Sequence, residues 1–88
     1  MRLSNHFMKR RIADETILIP VGEMSLKFNG MITLNQTGEF VYQCLEEGMK
    51  ESEIIREMLD TYQIEEQVAR KEVSNFLMQC RELKIVLE

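Results

Sequence analysis

The side chains able to do chemistry in this 88-residue chain are few and far apart. It has two cysteines, Cys44 and Cys80, and one histidine, His6, near its start. A nucleophile needs a base beside it, and a metal needs several ligands at fixed spacing; neither pattern is present, and no glycine-rich phosphate loop or CxxC pair occurs. Both cysteines fall on apolar positions of helical patterns, where a thiol is a small buried hydrophobe rather than half of a disulfide. His6 reads as a solvated terminal imidazole. The expectation is no enzyme, no catalytic residue, no cofactor and no metal site. What remains is a surface that can bind. On the last helical stretch, at about 100° per residue, Arg70, Ser74, Leu77 and Arg81 share one flank of the apolar stripe, with Lys71 and Met78 slightly further round and Glu72 and Gln79 on the opposite flank.

These residues must be positioned by short elements. Phe7–Ile12 reads as a first strand with a basic run, Met8-Lys9-Arg10-Arg11, and Thr16–Val21 as a second, β-branched one in which Pro20 is tolerated only near an end or an edge. Asn29-Gly30 suits a turn before a third strand, Met31–Leu34, where alternation puts Ile32 and Leu34 toward the core and Met31 and Thr33 the other way. Asn35 then offers a side-chain cap to a helix over about Gln36–Glu47, with Thr37, Phe40, Val41, Cys44 and Leu45 on its apolar positions and Gly48 as a left-handed stop. A second helix spans about Glu51–Tyr62, with Ile54, Ile55, Met58, Leu59 and Tyr62 on one arc. The third spans about Glu65–Leu83, with Ala69, Val73, Phe76, Leu77, Cys80 and Leu83 as core. Ile85-Val86-Leu87 is a short apolar ending. Short connectors favour an antiparallel meander. The expected fold is α+β, winged helix-turn-helix-like: a three-stranded antiparallel sheet followed by three helices.

Length and 44% hydrophobic residues allow one modest core, so residues 7–88 are expected to form a single domain behind a disordered stretch 1–6. Residues 1–35 carry five basic against three acidic side chains (+2), and residues 36–88 six against twelve (−6). A net charge of −4 repels a phosphate backbone. The rival function with the same element order is a DNA-binding winged-helix regulator. It needs a basic recognition element, whereas Glu51–Glu66 holds six acidic residues and only Arg56. No stretch approaches the ~20 apolar residues that cross a bilayer, and no signal peptide is evident, so a cytoplasmic protein is expected, binding neither nucleic acid nor membrane.

Three segments, Thr16-Ile-Leu-Ile-Pro-Val-Gly22, Lys27-Phe-Asn-Gly-Met-Ile-Thr-Leu-Asn-Gln-Thr-Gly38 and Ala69-Arg-Lys-Glu-Val-Ser-Asn-Phe-Leu77 with Leu83 and Ile85, resemble the PqqD family over about Phe7–Leu87. The most specific part is Leu34-Asn35-x-Thr37. The resemblance implies a RiPP recognition element: a non-catalytic peptide chaperone that binds the leader of a ribosomally made precursor peptide and presents it to a modifying enzyme, often a radical-SAM maturase. The leader would add as a strand along Met31, Ile32, Thr33 and Leu34. Arg70 and Arg81, with Lys71, would flank the groove and pair with acidic leader residues; Ser74 would lie on the same flank, and Leu77 and Met78 would receive an apolar one. Glu51 departs from the family's usual small apolar residue, although an acidic side chain suits a helix N-terminus. Whether the chain is a monomer or a homodimer stays open at this level.

Overall fold

The computed structural model describes residues 1–87, so the expected domain end at Glu88 lies outside it. Its elements are β1 (Phe7–Ile12), β2 (Glu15–Pro20), α1 (Met24–Lys27), β3 (Ile32–Leu34), α2 (Gln36–Glu46), α3 (Glu51–Thr61) and α4 (Glu66–Glu82). The strands form one antiparallel sheet in the order β1-β2-β3, with Arg10 opposite Ile17, and Ile17 opposite Thr33. The three strands and three long helices agree with the expected α+β arrangement. Helix α1 was not expected, because four residues are too short for a helical period to show. It sets Phe28 edge-on against Phe7, with ring centroids 6.2 Å apart.

The two faces of the sheet are distinct. Phe7, Lys9, Arg11, Thr16, Leu18, Pro20, Ile32 and Leu34 share the inner face, where Leu18, Leu34 and Phe7 join the core built by Val41, Leu45, Ile54, Met58, Ala69, Val73, Leu77 and Cys80. Lys9 and Arg11 therefore point toward α2. Lys9 Nζ meets Glu46 at 2.7 Å and lies over the Tyr42 ring, and Arg11 meets Glu39 at 3.1 Å while Thr16 also hydrogen-bonds Glu39. Two of the three cations of the basic run are thus paired with carboxylates of α2 at the surface.

The chain ends are tied together. The expected disordered stretch 1–6 is instead held: Ser4 N–H donates to the Ile85 carbonyl at 2.8 Å, Leu87 N–H donates to the Arg2 carbonyl at 2.7 Å, and Leu3 bridges Val86. Ile85 and Val86 are buried, so their backbone groups need partners: both N–H groups donate to the Cys80 carbonyl, and Ser4 supplies the donor for the Ile85 carbonyl. Helix α2 ends in two reverse bonds, Met49 N–H to the Cys44 carbonyl and Gly48 N–H to the Leu45 carbonyl, with Gly48 left-handed at φ 82° as expected. Helix α4 closes in the same way through Ile85 and Lys84, but there the left-handed position (φ 63°) is occupied by a lysine.

Candidate functional site

The site begins with the free edge of β3. A two-residue connection, Ala13-Asp14, joins β1 to β2, so the flanking pair Ile12 and Glu15 is hydrogen-bonded and bonded pairs alternate from there. The Val21 N–H donating to the His6 carbonyl at 2.8 Å confirms the phase. Ile17 therefore spends its backbone groups on β1, whereas Thr16 and Leu18 spend theirs on Leu34 and Ile32. Thr33, opposite Ile17, is left with its N–H and C=O pointing away from the sheet. Being an edge residue and exposed, it offers one donor and one acceptor to an extended chain.

Local sequence fixes this edge from behind. Asn35 Oδ1 accepts the Gly38 N–H at 2.7 Å, capping α2 one residue after β3 ends. Gly38 is buried, and a Cβ built on it would lie 2.8 Å from Phe76 Cε1 and 3.2 Å from Asn35 Oδ1. Only glycine lets the Phe76 ring sit so close. A cavity of about 490 Å³ is lined by Met24, Lys27 and Phe28 from the segment before β3, by Leu83 and Leu87 from the end of the chain, and by His6. Phe76 and Leu83 are seven residues apart, about 10 Å along a helix, and Met31–Asn35 spans a similar length. Phe76 against Gly38 and Leu83 in the cavity with Phe28 put the Phe76-Gln79-Leu83 flank of α4 on the β3 side, and Ile32, Phe76, Leu83 and Met24 are half-buried against the core.

This geometry corrects the choice of helix flank. Leu77 is fully buried in the core and presents no surface to a ligand. Arg70 lies on the α3 side, in a hollow shared with Ile55, Arg56 and Leu59, and its guanidinium is 2.6 Å from Glu66. Arg81 approaches Met1, on the side of the N-terminal segment. Lys71, Ser74 and Met78 are exposed on the back of the helix. Met31, Ile32, Thr33 and Leu34 are brought together at the edge, but the basic flank is not brought to them. The misjudged signal was charge: the opposite flank, Glu72, Phe76, Gln79 and Leu83, carries few charges, and its meaning depended on Phe76 fitting against Gly38.

Burial pushes the Cys80 thiol up to about 11, and burial raises Cys44 and Tyr42 as well. A raised thiol pKa removes the thiolate that nucleophilic chemistry needs. Among the described residues no group of three or more His, Cys, Asp or Glu side chains is placed to hold a metal.

A family model, coenzyme PQQ synthesis protein D (PqqD), matches residues 15–86. The chain belongs to the PqqD family. The match covers β2 through the buried Val86, and so contains β3 and α4. Two solved structures share the fold. One is TbiB1 in complex with the TbiA(beta) leader peptide, 21% identical with a TM-score of 0.82, covering 99% of this chain and 95% of that one. The other is a lasso peptide synthetase B1 complexed with the leader peptide, 16% identical with a TM-score of 0.82, covering 99% and 96%. No curated protein matches the sequence. No described helix is long and apolar enough to cross a membrane.

Proposed function

We propose that this PqqD-family chain is a non-catalytic peptide chaperone. It takes the leader of a ribosomally made precursor as an added strand on β3 and presents the precursor to a modifying enzyme. The carrying observation is Thr33, whose N–H and C=O face outward from a free edge beside an apolar helix flank. Main-chain bonds to Thr33 supply affinity, and alternate side chains of the added strand drop between β3 and Phe76, Gln79 and Leu83, which supplies choice. The two structural neighbours, both solved with a leader peptide, support this reading. Holding one end of a substrate raises its effective concentration at the partner's active site and needs no chemistry here. A radical-SAM maturase is one such partner, and the protein would work in the cytoplasm, where precursors are made.

The acidic α3 argues against the DNA-binding alternative, since Glu51, Glu53, Glu57 and Asp60 would face the phosphates. The test is calorimetry with a synthetic peptide covering the leader of the precursor encoded beside this gene. Thr33→Pro removes the outward donor and is expected to abolish most binding while the fold persists. Charge reversal at Arg70 and Arg81, on the far flank, should leave affinity within about twofold. A folded Thr33→Pro variant with unchanged affinity, or a large loss on reversing Arg70 and Arg81, overturns the placement.

A further inference from the structure

The outer face of the sheet points to a second binding surface, one that adjoins the β3 edge and uses side chains where the edge uses main chain. By the strand register Met8 and Ile19, Arg10 with Ile17 and Thr33, and Ile12 and Glu15 form three rows on this face, and Met31 continues the first. The core lies on the other side, yet this side is largely apolar: Met8 is 44% exposed, Ile12 53% and Met31 60%, with Ile19 half-buried. Ile17 is buried here although it stands outside the core cluster. Contiguous apolar surface of this kind is available to a partner, and what it takes is decided by the charges beside it.

Its charges are self-complementary. Lys9 and Arg11 are paired on the inner face, but Arg10, between them, has no ion pair among the described residues, and neither has Glu15. From strand spacing and rise, Arg10 and Glu15 lie one strand and one row apart, about 8 Å. We propose that the outer faces of two copies of this chain stack about a two-fold axis running diagonally past Ile17. That operation sets Arg10 against the partner's Glu15 and Glu15 against the partner's Arg10, with Ile17 and Ile12 filling the centre. An isologous contact of this kind needs one basic and one acidic group on one face, which this face carries. The footprint, three strands by three rows, is on the order of 300 Å² per copy, below the ~800 Å² per partner of a standard stable interface. The dimer is therefore weak and concentration-dependent. Stacking on the face leaves the outward N–H and C=O of Thr33 unpaired, so it does not compete for the main-chain bonds of strand addition.

Sedimentation velocity on the full chain, from tens of micromolar to about 1 mM, reads the association directly. The wild type is expected to shift from monomer toward dimer over this range. Arg10→Glu and Glu15→Arg should each weaken it by about tenfold or more, because like charges then meet twice. The double swap, Arg10→Glu with Glu15→Arg, should restore it. Ile12→Lys, at an exposed position on the same face, should abolish it without unfolding the chain. A wild type that stays monomeric to 1 mM overturns the proposal and leaves the face to a different protein. Single variants that associate like wild type, or a double swap that does not recover, overturn it equally; a nonspecific charge effect would move the two single variants in opposite directions.

Discussion

Replacing Gly38 by alanine tests the packing that shapes the groove. On general grounds an alanine in a helix should stabilise by up to about 1 kcal/mol over glycine. Here the new methyl would stand 2.8 Å from Phe76 Cε1, closer than carbon atoms pack, and 3.2 Å from the capping oxygen of Asn35. Overpacking of this kind costs about 1–3 kcal/mol when the neighbour cannot move. Phe76 is only half-buried, so its ring can relieve the clash by swinging toward the space beside β3. The expected outcome is a net stability change between zero and about 2 kcal/mol of loss, the gain in helix propensity offsetting part of the clash. Leader-peptide affinity should fall by about tenfold or more, because the displaced ring occupies the groove. Chemical denaturation and calorimetry on the same preparation give both numbers. A variant stabilised by the full 1 kcal/mol with unchanged affinity would refute the claim that Phe76 on Gly38 forms a groove wall.

Other expectations concern the frame. Asn35→Ala removes the cap that ties α2 to the end of β3 and should cost about 1 kcal/mol in a denaturation series. Lys84→Gly relieves a left-handed residue at the end of α4 and should raise stability by about 0.5–1 kcal/mol, seen as a higher Tm. Cys80 keeps its proton in the fold up to about 11, from an ordinary value of 9.0, while the unfolded chain loses it earlier. Its contribution is therefore complete below pH 9 and is lost as pH rises toward 11, a decline that Cys80→Ala should flatten in melts recorded across that range.

Much of the frame was legible in the residues themselves. The three strands and three long helices follow from β-branched runs, an Asn cap and 3.6-residue periodicity, which are local signals. The junction Leu34-Asn35-x-Thr37 was legible for the same reason, since a strand end and a cap sit within four residues. Three things were not. Helix α1 is too short to show a period. The N-terminal residues carry no apolar pattern, and they are held by main-chain bonds to Ile85 and Leu87, more than eighty residues away. The helix flank beside β3 depends on how α4 rotates against Gly38, and sequence charge pointed to the wrong side because Arg70 is matched by Glu66 within its own helix. Leu77 shows the same limit: the periodicity places it in the core, the resemblance also gives it to the groove, and its full burial leaves only the core.

The central claim is that an extended leader peptide pairs with the free edge at Thr33. Hydrogen exchange of the backbone amides, followed by NMR with and without the leader peptide, measures this most directly. The account predicts that the exposed Thr33 amide, fast to exchange alone, becomes strongly protected when peptide is bound, with shifts at Ile32, Phe76 and Leu83 and none at Arg70 or Met78. Peptide binding that leaves the Thr33 amide as unprotected as before, with changes centred on Arg70, Lys71 and Met78 instead, would contradict it.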